Sequence, residues 1–354
     1  MPPIHWAADG WDDMFPGVRN VNQQQITQNN SSHQAIKIWN GQSKRSQNYR
    51  SKALFFCDEE LYTRYRKTYY MQVSFSQMLR IARKGNYAVP AINILNHVTL
   101  AAVLEAASRQ RSPVIIQTSV ATVKSLKPAA LASVTRTMID AAPIPAVLHL
   151  DHCQSVEMCN LCCDLGWDSV MFDGSHLTLE ENTVQTRQLR LYAQSKGIEV
   201  EGEVGIIAGV EDDISHDVSS LAGFGETMQY IEQTAVDAIA PAIGTAHGLY
   251  HGTPNINFDL IEQLAAATDC PIVIHGGTGL SDEIFLQLIA CGASKINIST
   301  ALKHAYIGST REFLENHPGM ANPLKLDEYV FEKVVELAES FMILFRSSGK
   351  ADTQ

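Results

Sequence analysis

No stretch of this chain approaches the roughly 18 consecutive apolar residues that a membrane-spanning helix requires. The amino terminus also lacks the charged start and apolar core of a secretory signal. The expectation is a cytoplasmic protein with no membrane partner. A basic excess is missing too: the formal net charge is −11 at pH 7, which speaks against a nucleic-acid binder with its basic footprint. It does not exclude an anionic substrate, because a metal ion or converging backbone N–H groups can make one pocket locally positive. The seven cysteines form no two CxxC pairs at zinc-finger spacing. They read as reduced thiols packed as small apolar residues. No GxGxxG follows the first strand-like run and no HExxH occurs, which removes a dinucleotide-binding fold and a zincin-type metal site.

What is present divides the chain in two. Residues 1–70 are polar and amide-rich, as in "NVNQQQITQNNSSHQ" (20–34), then basic and aperiodic over 40–52. Such composition buries too little apolar surface to order itself, so a low-complexity, mostly disordered extension is expected there. From Met71 to the carboxyl terminus, β-branched runs alternate with longer stretches of helical period. The runs are 87–94, 113–119, 146–152, 169–175, 198–205, 237–244, 271–277 and 295–300. Eight strands alternating with helices predict a (β/α)8 barrel over 71–354 rather than a doubly wound sheet.

In such a barrel the carboxyl ends of the strands build the active site. Three of those ends carry histidines: His152, His247 and His275. One alone would read as structural, but three at one mouth match a neutral imidazole triad that leaves a metal position open, as in catalytic zinc sites. Thr245, Ala246 and Gly248 leave His247 accessible. Asp151 stands beside His152 as a proton-transfer group; Asp173 and Glu203 are candidates for metal support or an alternative metal position. Gly276, Gly277 and Thr278 follow the seventh strand, and Asn297, Ile298, Ser299 and Thr300 end the eighth. Loops after strands seven and eight commonly bind phosphate through backbone N–H groups and hydroxyls. Asn93 and Ser119 close the first two strands. Schiff-base chemistry would need a strand-end lysine, and Lys295 lies at the opposite end of its strand.

These motifs resemble the zinc-dependent, class II ketose-bisphosphate aldolases. The pieces that carry the likeness are "LHLDHC" (148–153), "GWDSVMFDGSHLTLEEN" (166–182), "EVEGEVGIIAGVEDD" (199–213), "GTAHGLYHGTP" (244–254), "IVIHGGTGL" (272–280) and "KINISTALKHAY" (295–306). The resemblance implies zinc on His152, His247 and His275, with Asp173 and Glu203 serving an alternative metal position. It implies Asp151 as proton donor and acceptor, and Gly248, Gly276–Thr278, Asn297–Thr300, Asn93 and Ser119 around the substrate. A monovalent cation near the phosphate loops and a homo-oligomer, dimeric or larger, are further implications. The implied reaction is reversible cleavage of fructose 1,6-bisphosphate to dihydroxyacetone phosphate and glyceraldehyde 3-phosphate. Tagatose 1,6-bisphosphate or another phosphorylated ketose is the alternative, because "GTAHGLY" resembles tagatose-bisphosphate members and Ala208 and Ala301 depart from the common pattern. A metal-dependent hydrolase or an inactive metabolite-binding relative would use the same barrel, the former leaving the phosphate loops without purpose.

Overall fold

The structure, a computed structural model, describes residues 73–211, 214–216, 220–248 and 254–353. The expected extension, 1–70, lies outside the described residues. Strands β1 (Val89–Asn93), β2 (Val114–Ser119), β3 (Ala146–Cys153), β4 (Ser169–Phe172) and β5 (Glu199–Val204) come first in the chain. They are followed by β6 (Ala208–Glu211), β7 (Ile214–His216), β8 (Ala238–Pro241), β9 (Ala246–His247), β10 (Ile272–Ile274) and β11 (Ala293–Ile298). Eight of these close a parallel barrel in the order β1-β11-β10-β8-β5-β4-β3-β2, while β7-β6-β9 form a small separate sheet. The barrel strands are the eight runs expected from the sequence, and helices surround them.

Alternation along each strand sorts the barrel interior from the shell beneath the helices. Ile92, Ile116, Leu148, Leu150 and Val170 belong to the apolar shell. Val89, Ala91, Ile115, Val147, Ala238, Ala240 and Val273 point inward and form a second, smaller apolar cluster at the barrel floor. The floor is closed by a helix over Phe75–Lys84, whose Phe75, Met78, Leu79 and Ala82 are buried in that same cluster. Its apolar residues recur at spacings of three and four, the mark of a one-faced helix. The backbone and hydroxyl of Ser76 donate to Glu199 at 2.6 Å each, tying the helix to the start of β5. Phe75 then stacks on His149 inside the barrel, ring centroids 5.1 Å apart.

Two matching clamps hold neighbouring parts of the wall. Asp168 accepts from the backbone of Leu148 at 2.6 Å and from Arg136 at 2.8 Å. Asp237 accepts from the backbone of Val200 at 2.8 Å and from Arg190 at 2.9 Å. In both, one carboxylate ends an otherwise unpaired strand N–H and neutralises a helix-borne guanidinium. Cys159, Cys162 and Cys163 on the helix Val156–Asp164 are free and buried in the shell. Burial, with Asp164 adjacent, pushes the Cys163 thiol up to about 12, so these side chains pack as apolar groups.

The floor plug yields a direct expectation. Phe75→Ala removes a fully buried ring from a site that cannot collapse around it, and should lower unfolding stability by about 3–5 kcal/mol. Denaturant unfolding of the full chain measures this; a loss below 1 kcal/mol would mean that Phe75 does not seal the floor.

Candidate active site

Asp151 and His152 are consecutive in β3, so regular alternation would send them to opposite faces. The structure places both at the mouth. His152 adopts φ 41°, and the β3–β4 register slips so that Leu150 pairs with Val170 while Cys153 pairs with Phe172. One extra residue on β3 makes a β-bulge, which re-aims the side chain at the cost of left-handed backbone.

His152 and His275 are buried and His247 half-buried, and one ring nitrogen from each lies within 4.8 Å of the others. Nδ1 of His275 is 2.7 Å from Nε2 of His152. The far sides of these two rings face carboxylates: Nε2 of His275 meets Glu201 Oε1 at 2.8 Å, and Nδ1 of His152 meets Asp173 Oδ2 at 3.4 Å. Burial, reinforced by His152, holds the His275 pKa well below the ordinary imidazole value. That shift favours the neutral ring, the state in which an imidazole nitrogen has a lone pair to give to a metal.

Four carboxyl groups are buried here, Asp151, Asp173, Glu201 and Glu203, against one buried ammonium among the described residues, Lys295. Burial opposes ionisation of Asp173, but hydrogen bonds from His152 and Ser175 outweigh it and hold its pKa well below the carboxylate range. Burial and the nearby Asp173 push Glu203 the other way, well above its ordinary value. Among the described residues Oε2 of Glu203 has no hydrogen-bond partner, and it lies 3.9 Å from His152 Nδ1 and 3.8 Å from His275 Nδ1. An orphaned carboxyl oxygen, surplus negative charge and three imidazoles form a donor set that suits a divalent cation.

Asp151 is held from both sides. Its Oδ2 accepts from Asn93 Nδ2 at 2.9 Å and its Oδ1 from Asn297 Nδ2 at 3.1 Å. Gln117 Nε2 in turn donates to Asn93 Oδ1 at 2.7 Å. Ser119 pairs with Asp151 in the β2–β3 register, and its hydroxyl caps the helix Val120–Leu126 through Thr122.

A pocket beside this cluster is lined by His247, Gly248, Gly276, Gly277, Thr278, Asn297, Ser299 and Thr300. It opens at the amino end of the helix Thr300–Asn316, where Ser299 makes no capping bond and its buried hydroxyl is unpartnered. Helix N–H groups and an idle hydroxyl fit an anion. A Cβ on Gly276 would lie 2.6 Å from the Ala246 carbonyl, and one on Gly277 2.9 Å from the Asn297 carbonyl, so three segments converge only over glycine. Gly209 makes the same allowance for His247: its φ is 108°, and a Cβ would lie 2.2 Å from the His247 carbonyl. Ile298 sends its side chain into the outer shell, leaving its backbone alone toward the mouth.

Gln117 is among the strand-end residues expected from the sequence, whereas His149 and Glu201 are not, and Lys295 was set aside. Lys295 does start low on its strand, but its side chain runs inside the barrel, fully buried, to Glu201 Oε2 at 2.9 Å. Parity was the available signal: Glu201 shares the inward phase of Glu203, and Lys295 that of Asn297.

The family profile for fructose-bisphosphate aldolase class II matches residues 73–350. A 6-phospho-5-dehydro-2-deoxy-D-gluconate aldolase of Bacillus licheniformis is 36% identical over 284 residues, 79% of this chain and 96% of that protein. A fructose-bisphosphate aldolase of Geobacillus stearothermophilus is 36% identical over 282 residues, 79% of this chain and 98% of its own. The crystal structure of the YdjI aldolase from Escherichia coli K12 superposes with a TM-score of 0.71 at 29% identity, covering 79% of this chain and 100% of that one. The chain belongs to the class II fructose-bisphosphate aldolase family. It is an aldolase, a lyase of carbon–carbon bonds.

The glycine convergence is testable. Gly276→Ala places a Cβ against backbone at a left-handed φ of 69° and should cost about 1–3 kcal/mol. Thermal unfolding beside Gly248→Ala, where among the described residues nothing lies within 4 Å of the new Cβ, separates crowding from φ strain. Equal losses would remove the packing argument.

Proposed function

We propose that this chain is a zinc-dependent ketose-bisphosphate aldolase that reversibly cleaves fructose 1,6-bisphosphate to dihydroxyacetone phosphate and glyceraldehyde 3-phosphate. The observation that carries this reading is the three-histidine cluster at the mouth that also holds Asp151 and the anion pocket. His152, His247 and His275 would hold the zinc, with Asp173 and Glu203 serving an alternative metal position. Zinc supplies Lewis-acid polarisation of the ketose carbonyl when bound.

The chain's own groups account for the rest. Asp151 takes the C4 hydroxyl proton during cleavage of the C3–C4 bond and returns it in condensation. Asn93 and Asn297 anchor its two oxygens, so the carboxylate stays aimed while the substrate changes. Gly248, Gly276, Gly277, Thr278 and the Asn297–Thr300 run receive the phosphate with backbone N–H groups and hydroxyls, and Ser119 borders the site. A monovalent cation beside these loops, a homo-oligomeric assembly and a cytoplasmic location complete the reading. Among the described residues no helix is long and apolar enough to cross a membrane.

Tagatose 1,6-bisphosphate and 6-phospho-5-dehydro-2-deoxy-D-gluconate are the competing substrates, the second because a relative of equal identity carries that name. The ratio of kcat/KM values for the three, with and without a zinc chelator, decides. Chelation should abolish turnover and added zinc restore it; cleavage that ignores the chelator would sink the metal mechanism. Asp151→Ala should keep its zinc, by elemental analysis, while cleavage falls about 10²–10⁴-fold. Removal of residues 1–70, which lie outside the family match, should leave kcat/KM within about twofold if they form a separate extension.

A further inference from the structure

The barrel interior contains an ion pair that the aldolase reaction does not use directly. Lys295 on β11, Glu201 on β5 and His275 after β10 form a chain across the barrel. Lys295 Nζ meets Glu201 Oε2 at 2.9 Å, and Glu201 Oε1 meets His275 Nε2 at 2.8 Å. All three side chains are fully buried. His149 flanks the carboxylate, its Nε2 3.6 Å from Oε2, and the Phe75 ring lies below Lys295, 6.0 Å from Nζ to centroid. A buried pair of this kind is a poor source of stability, because apolar side chains of similar volume usually do as well or better. Its position, directly behind one of the three metal-facing imidazoles, offers a different reason for it.

We propose that Lys295 and Glu201 act together as positioning residues that set the orientation and tautomer of His275 toward the metal. It rests on the reading of His275 as a metal ligand. Glu201 accepts the hydrogen from Nε2, which leaves the Nδ1 lone pair facing His152 and the cation position. Lys295 fixes the direction of that bond. Its ammonium can only donate, so it engages Oε2 and leaves Oε1 to accept from the imidazole.

The pair makes a non-additive prediction. In Glu201→Gln, Lys295 still requires an acceptor, so it claims the new amide oxygen and turns the amide NH2 toward His275. That NH2 demands a lone pair on Nε2 and drives the imidazole hydrogen onto Nδ1, where it blocks the metal. In Glu201→Gln/Lys295→Met the amide can turn its oxygen back to His275. Zinc affinity of the full chain, by competition with a fluorescent chelator, should therefore fall about 10–100-fold in Glu201→Gln and recover most of that loss in the double variant. The absorption bands of the cobalt-substituted protein should shift and return in parallel.

A folded Glu201→Gln protein that binds zinc within twofold of the unaltered chain overturns the proposal. So does a double variant weaker than the single one, since a merely structural pair accumulates damage. Nitrogen-15 NMR of the unaltered zinc protein needs no variant to fold: metal on His275 Nδ1 with hydrogen on Nε2 supports the assignment, and metal on Nε2 refutes it. Undiminished zinc binding by His275→Ala would instead overturn the underlying reading of the ligand set, and is distinguishable on that ground.

Discussion

The β-bulge at His152 is the constraint on which the mouth depends. Asp151 and His152 occupy consecutive positions in one strand, and a regular strand cannot present both to the same side. The extra residue and the left-handed φ of His152 bring them together. Once His152 turns inward, its Nε2 meets His275 and its Nδ1 meets Asp173. Asp151, unaffected by the bulge, stays in phase to be gripped by Asn93 and Asn297. The strain is local and the surrounding wall is rigid, which is the setting in which strained backbone persists at functional sites.

Below that mouth the interior is graded. The floor is apolar and sealed by Phe75; the middle holds His149, Glu201 and Lys295, each fully buried; the top collects Asp151, Asp173, Glu203 and the imidazoles. The gradient places low-dielectric walls under a site whose charges are then little screened by water, so a few hydrogen bonds suffice to set the state of each ring and carboxyl. Within the top layer two neighbouring acids behave oppositely. Hydrogen bonds from His152 and Ser175 hold Asp173 low against its burial, whereas burial and the nearby Asp173 push Glu203 up.

The pocket beside the histidines follows a different logic, that of close approach. Gly276, Gly277 and Gly209 let backbone pass within contact of backbone, so the carboxyl ends of β10, β11 and β9 meet over one small space. The amino end of the helix Thr300–Asn316 then supplies N–H groups to whatever occupies it. His247 belongs both to the histidine cluster and to the lining of this pocket, so the two adjoin.

Much of this was legible from sequence alone. Eight β-branched runs alternating with helical stretches are a barrel because each parallel strand needs a crossover helix to reach the next. Histidines at three strand ends point to one mouth because barrel topology brings those ends together. The floor helix went unread because its face is apolar at four positions only and its partner surface exists only inside the closed barrel. Lys295 and Glu201 are 94 residues apart, and nothing local says that two inward-pointing charges will meet. Local patterning thus determined which elements form and which strand ends bear histidines and carboxylates, since period and burial are properties of neighbouring residues. Only the tertiary structure decided that His152 shares a face with Asp151, that Asn93 and Asn297 grip one carboxylate, and which nitrogen of His275 faces His152. Those outcomes depend on register and on cross-barrel distances, which emerge only when the sheet closes.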